Sequence, residues 1–452
     1  MMRLVLHDLR LLARQRLVLV VLAVGLVASA LAAVNGARWI DHLTQARSGF
    51  LERAAADESA YRARFVSDAW TDVDSANAPF TTRRAFAYPV PLLADFSVGR
   101  SDVEPSMARV RMGYRSDMLF RNYQLDNPER LLRGRLDLAF IAVVVAPLLL
   151  IALGYGVFSA DRDRGTAQLL LAQAGGMGRL LLARSVNRVP LVLLPLALAA
   201  LALVAVGPQE DGRIAAAALW FAVTTAGLLF WWAVILLVNA MRVSAETAAL
   251  VLVATWALLV LVAPPLVNAA ARAAHPPPSR MAQIIDGRFA EQAATAAYRN
   301  DHPSDGTPEL QRVKDVIAEY QRISMALEAS IGPVAQRFDD QLQAQQTVVS
   351  RLAWLSPPMT VSAALAGIAG TDTASYHALR IASRQHLHRY TAALDRGIAD
   401  NRLFTLADHD ALPRFAPPPR PLPHFIGVGW TLLLALLFGW WASRRYAAVA
   451  VG

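Results

Sequence analysis

The chain has 452 residues, 55% of them hydrophobic and only 17% charged, with a mean hydropathy of +0.35. That balance excludes an ordinary soluble globular protein. The formal net charge is +9 and cysteine is absent, which excludes disulfides, zinc–thiolate sites and thiol nucleophiles.

In chain order, Met1–Arg16 reads as a short amphipathic helix, with Leu4, Leu9, Leu11 and Leu12 among Arg3, Arg10, Arg14 and Arg16. Such a helix can lie on a membrane surface before turning into a first span. A competing reading is a signal peptide, with Ala28–Ala33 as its small-residue cleavage site. Six apolar runs stand out: Leu17–Val34, Leu138–Ser159, Val189–Val206, Ile214–Val238, Thr247–Val267 and Phe425–Trp441. Each is roughly long enough to cross a ~30 Å hydrocarbon core. Pro147, Pro190, Pro195, Pro264 and Pro265 predict kinks or gaps in them. No Asp, Glu, Lys, Arg or His lies mid-run, which argues against an ion-coupled secondary transporter. Trp220, Trp430, Trp440 and Trp441 lie near run ends and read as interfacial belt residues.

Two long polar stretches interrupt the runs. In Asn35–Leu136, helical spacing covers Ala37 to about Phe65, prolines from Pro79 to Pro105 indicate looped chain, and Ala108–Met112 alternates like a short strand. Asn268–His424 opens on Pro276–Pro278 and closes on Pro417–Pro419. Inside it, Leu310, Val313, Ile317, Tyr320, Ser324 and Leu327 recur at three and four residues. After Gly332-Pro333 the spacing resumes through Val334, Phe338, Leu342, Gln345, Val349 and Leu352, which predicts a helical hairpin broken at that pair. Tyr376, Leu379, Ser383, Leu387, Tyr390 and Leu394 mark a further helix. On it, His386 falls opposite His377 and His388, so the three cannot share one metal ion, and no metal site is expected.

Charge sorts the segments between two sides. Met1–Arg16, Ala160–Arg188, Asn239–Glu246 and Ala442–Gly452 together hold 12 Arg and 4 acidic residues. The two long loops are nearly neutral, with 15 basic and 13 acidic residues in the first and 16 and 15 in the second. By the positive-inside rule both termini are cytoplasmic, and topology rather than nucleic-acid binding accounts for the excess charge. Lys314 is the only lysine, so no G-x-x-x-x-G-K-[ST] phosphate loop exists in the chain. No H-E-x-x-H or G-x-S-x-G occurs either, and the chain is not expected to be an enzyme.

The stretch after the second run is the most informative. The charged segment Asp161-Arg162-Asp163-Arg164 is followed by Gly165-Thr166 and a Leu-rich helix containing Gln168, Leu169 and Leu170. Gly165 permits a sharp turn and Thr166 can cap the helix. This acidic-x-acidic-x-Gly-Thr pattern resembles permease subunits of ABC-2 type exporters. The resemblance extends to a subfamily with two large extracytoplasmic loops, similar to the permease serving nitrous-oxide reductase maturation. Three further segments carry it: Tyr88–Pro105, Asn127–Leu138 and Leu355–Asp372. The acidic positions are Asp here, where the family often has Glu.

The expected fold is mainly α: a six-transmembrane-helix protein, N-in and C-in, with two large, mostly helical periplasmic loops. Its parts are residues 1–34 (elbow helix and first span), 35–136 (first loop), 137–267 (spans two to five, with a coupling helix near 165–173), 268–424 (second loop) and 425–452 (sixth span and tail). The resemblance implies a multi-pass protein of the bacterial inner membrane, paired with a second permease copy or a paralogue. It also implies a cytoplasmic ABC ATPase dimer that binds ATP and Mg, with no cofactor in this chain. Asp161, Arg162, Asp163, Arg164, Gly165, Thr166, Gln168, Leu169 and Leu170 would meet the ATPase. Membrane lipid and a periplasmic protein are further expected partners. The alternative is a mechanical transmitter, in which ATP moves the outer loops against a periplasmic or outer-membrane partner and no cargo crosses this chain.

Overall fold

A computed structural model describes residues 2–114, 119, 136–159, 165, 177–241, 243–276, 285, 289, 292, 308–421 and 425–449. The protein is mostly helical. Helix α1 (Met2–Ala13) is the expected amphipathic piece, and Leu12 is its fully buried anchor. Helix α2 (Arg16–Phe65) runs 50 residues without a break, about 75 Å at 1.5 Å per residue. It unites the first apolar run and the first helix of the following loop, which the sequence reading holds apart. The Ala28–Ala33 stretch lies inside this unbroken helix, with Ser29, Ala32 and Ala33 buried.

Then come α3 (Asp72–Thr81), held by a Thr71/Asp74 capping box, and a two-stranded antiparallel ribbon. Strand β1 (Arg83–Ala87) pairs with β2 (Met107–Arg111) in the register Ala85 to Arg109. The expected strand is therefore present one residue earlier, and its partner β1 carried no alternation strong enough to find.

Helix α4 (Leu138–Gly154) follows, capped by the Asp137 carboxylate, and passes into a turn at Tyr155. The remaining apolar helices are α5 (Met177–Val206), α6 (Arg213–Ala240) and α7 (Ala245–Ala274), with α12 (Ile426–Val449) near the end. Among the described residues five helices, namely α2, the Ala183–Val206 part of α5, α6, α7 and Ile426–Tyr446 of α12, are long and apolar enough to cross a membrane. α4 is shorter. Wide π-turns occupy Ile141–Val145 of α4 and Ala257–Val262 of α7, each just ahead of proline (Pro147; Pro264 and Pro265). Proline lacks an N–H and crowds the preceding turn, so the helix widens there.

Helix α8 (Glu309–Leu352) is a single 44-residue rod with Pro333 inside it. This corrects the expected hairpin: the chain does not reverse at Gly332-Pro333. The reversal is made later, by the short helix α9 (Pro357–Ala369), after which α10 (Thr373–Ala399) packs back against α8. α10 buries Tyr376, Ser383, Leu387, Tyr390 and Leu394, the predicted stripe. Asn401, left-handed at φ 50°, ends that region, and α11 (Leu406–Ala411) follows it.

Two cores result. One unites α2, α4, α5, α6, α7, α9 and α12. The other, in a domain outside that bundle (the outer domain), joins β1 and β2 to α3, α8 and α10 through Phe86, Val110, Ile317, Leu387 and Tyr390. Within the first, α6 and α12 run in the same direction, since Phe230 lies beside Phe438 and the Tyr446 hydroxyl reaches the Leu236 carbonyl.

Candidate functional site

The chain enters the predicted coupling segment from a buried polar junction. Arg184, Asn187 and Arg188 sit at i, i+3 and i+4 on α5, so they share one face. Asp8 of α1 lies against that face. Arg188 Nη1 donates to Asp8 Oδ2 at 3.1 Å, Asn187 Nδ2 donates to the same oxygen at 2.9 Å, and Arg184 Nε stands 3.8 Å from Oδ1. The Asn187 amide also donates to the Val5 carbonyl at 3.0 Å. The amphipathic helix is thus tied to the bundle by charge-assisted hydrogen bonds as well as by Leu12.

The same arginines hold the end of α4. Arg188 Nε donates to the Leu153 carbonyl at 3.1 Å, and Arg184 Nη1 donates to that of Val157. Carbonyls at a helix C-terminus lack intrahelical partners, and arginine satisfies them with favourable charge. From the other side Asn239 of α6 accepts from the Ser159 hydroxyl at 3.1 Å and from its N–H at 3.3 Å, while donating to Gly154 at 3.4 Å. Trp232 Nε1 donates to Ser185 Oγ at 2.6 Å, and Phe158 meets the Tyr446 ring edge-on at 4.7 Å. Helices α1, α4, α5, α6 and α12 therefore meet around residues 153–159.

The expected site begins one residue further on. Asp161, Arg162, Asp163, Arg164, Thr166, Gln168, Leu169 and Leu170 lie outside the described residues. Gly165 is described: it is exposed, with φ +73° and open space where a side chain would stand. Glycine adopts that left-handed conformation without steric cost.

At the opposite end of the bundle a second polar lock forms. Asp95 pairs with Arg213, both fully buried, and Arg213 also donates to the carbonyls of Leu92 at 2.6 Å and Leu203 at 3.0 Å. Burial raises the Asp95 carboxyl above its ordinary range despite the guanidinium beside it. Phe96 carries the contact onward to Trp220, with ring centroids 5.4 Å apart. Trp220 is 0% exposed, which corrects its reading as a belt residue; Trp440 and Trp441 are exposed, each under a neighbouring arginine. Asp137 accepts from the N–H groups of Phe140 at 2.7 Å and Val98 at 2.8 Å, so one carboxylate caps α4 and fixes the loop above it.

In the outer domain a cleft of about 840 Å³ opens between α8 and α10, with Glu328, Asp339, Asp340, His377 and His388 in its lining. One ion pair crosses it, Arg384–Asp339, and His388 Nε2 stands 3.8 Å from Glu328 Oε1. His386 faces away, buried against Phe86 and Phe415, as the helical spacing requires. No group of three or more potential ligands that could hold a metal occurs among the described residues.

A family model described as "Domain of unknown function (DUF3526)" matches residues 286–417. That match spans α8, α9, α10 and α11. No curated protein and no solved structure matches the chain.

Sequence reasoning missed Asp8, Asn187, Asn239 and the Asp95–Arg213 pair. A signal existed for some of them. Asp8 is the only acidic residue in a basic, leucine-rich helix, and Asn187 and Asn239 are amides at the edges of apolar runs.

Proposed function

We propose that the chain is the membrane subunit of an ATP-driven system of the ABC-2 exporter type. A separate cytoplasmic ATPase would drive it through Asp161–Leu170, and a second permease copy or paralogue would complete the pair. The observation that carries this reading is the junction at residues 153–159. Five helices converge there on the root of the one segment whose sequence resembles a coupling helix. A push on that segment would reach all five at once, because arginine and asparagine side chains bind its root from both sides. Discrete polar contacts between packed helices are how such a displacement becomes a shift between two arrangements.

The experiment uses the absence of native cysteine. Gln168→Cys is expressed with the ATPase encoded beside it, and cross-linking is sought to cysteines placed around that ATPase's surface groove. A nucleotide-sensitive cross-link is the expected result. Labelling of Gln168→Cys from the periplasmic side overturns the reading.

The mechanical-transmitter reading is favoured by α2. Its 50 residues run unbroken from beside the junction, past Gly25 packed on Pro195, to the outer domain, where Glu58 pairs with Arg84 of β1. A continuous helix carries displacement without loss in a flexible joint. Replacing Gln45 and Ala46 together by glycine would soften the rod, costing about 2 kcal/mol of local helix. A transmitter loses function in that variant while its nucleotide-sensitive cross-link at Gln168→Cys persists.

A further inference from the structure

The cleft between α8 and α10 lies apart from the apolar bundle, and its lining has a consistent chemistry. It runs from Ser324 to Gln343 on α8 and from His377 to Asp395 on α10, about 27 Å along either helix. Spread over that length, its volume of about 840 Å³ leaves a mean cross-section of roughly 30 Å². A helix about 10 Å wide needs more than twice that, so the slot fits one extended, unbranched chain.

Four carboxylates line the slot, those of Glu328, Asp339, Asp340 and Asp395, and Arg384 is the only arginine or lysine in the lining. Arg337, Arg380 and Arg389 of the same helices lie outside it. Asp339 takes the Arg384 guanidinium across the gap, whereas Asp340 and Asp395 form no ion pair among the described residues. A groove with an excess of one charge between low-dielectric walls focuses its field and concentrates ions of the opposite sign. Between the charges the walls are apolar: Met325 is 45% exposed and Ile381 41%.

Gln321 is an independent sign of a missing partner. It stands three residues before Ser324 and seven before Glu328, so helical spacing puts it on the cleft-facing side of α8. It is 1% exposed, and neither its amide oxygen nor its nitrogen has a hydrogen-bond partner. Buried amides are nearly always satisfied, which calls for a polar group from outside the chain at that end of the slot.

We infer that the slot binds a linear polyamine, an unbranched chain of ammonium groups joined by methylenes. An ammonium only donates and a carboxylate only accepts, so this acceptor-rich lining complements a donor-only ligand. A peptide would bring a carbonyl acceptor at every residue, and the one guanidinium that could meet it is already paired. The methylene segments of a polyamine fit over Met325 and Ile381. A bare metal ion finds no group of three or more ligands among the described residues. The inference rests on the outer domain alone and needs neither ATP coupling nor a bilayer.

The test titrates spermine, a tetraamine, into the purified full-length chain in detergent, followed by calorimetry at low salt. Saturable binding is expected, weakened at least roughly tenfold in the double variant Asp340→Asn/Asp395→Asn, which loses two charge-assisted contacts. Ala329→Arg, at an exposed position of the lining, sets a fixed cation in the slot and should abolish binding. None of these positions is buried, so the melting temperature without ligand should not change in either variant. Absence of saturable binding to the unmodified chain overturns the inference, as does unchanged affinity in both variants. Displacement of spermine by magnesium at equal charge concentration would mean counterion screening only, and overturns it too. A pentalysine peptide that binds more tightly than spermine overturns the ligand class.

Discussion

Single residues decide the tightest approaches. Gly36 lies mid-way along α2, and a Cβ there would collide with the Asp95 carbonyl, whereas one on Gly49 of the same helix meets nothing within 4 Å. Gly49→Ala should therefore stabilise the protein by roughly 0.5–1 kcal/mol, the ordinary helical gain. Gly36→Ala should lower the melting temperature measured in detergent, because backbone must move. At the junction, Arg188→Ala leaves Asp8 with fewer donors and the Leu153 carbonyl without this one. Breaking a buried pair typically costs about 3–5 kcal/mol, and here the loss should appear as a lower melting temperature and faster exchange of the α1 amides. His386 sets a pH response in the outer domain. Burial, and then the charge of Arg389, bring its imidazole down to about 4, so it is neutral when folded and takes up a proton more readily when unfolded. Stability is unaffected above the ordinary value of 6.5 and falls as pH drops from there towards 4. Thermal unfolding should show that slope, and His386→Leu should flatten it.

At the scale of elements, the sequence is most legible where periodicity is strong. The α10 stripe is buried as spaced, α1 is amphipathic, and five of the six apolar runs fall on helices of membrane length. It is least legible at proline. Pro147, Pro264 and Pro265 widen their helices into π-turns, whereas Pro333 is carried, exposed, inside α8 with no break. Pro333→Ala should consequently stabilise the protein, by up to about 3 kcal/mol at an exposed helix position. A melting temperature that falls instead would mean that the chain needs a turn at that point. The seam between Val34 and Ala37 misleads in the other sense: polarity changes there, but nothing local ends the helix, so α2 continues.

At the scale of the whole molecule, the two polar locks lie at opposite ends of one apolar bundle, Asp8–Arg188 at one and Asp95–Arg213 at the other. α2, α5 and α6 join them. Asp95→Asn should weaken the outer lock while leaving the Asp8 junction intact, and hydrogen exchange should rise around residues 91–101 more than in α1.

The amino-acid sequence by itself determined the helical apolar character of the chain, the asymmetry of its charge, the amphipathic first helix and the absence of a phosphate loop. These are properties of composition and short-range spacing, which each segment carries wherever it is placed. Only the tertiary structure decided that α9 leaves the outer domain for the middle of the bundle, that Trp220 is core, and that Asp8 meets Arg188 across 180 positions. Such pairings join single polar residues far apart in the chain, and isolated residues have no period. What selects them is the cost of leaving a charge or an N–H buried without a partner, and that cost exists only once the helices are packed together.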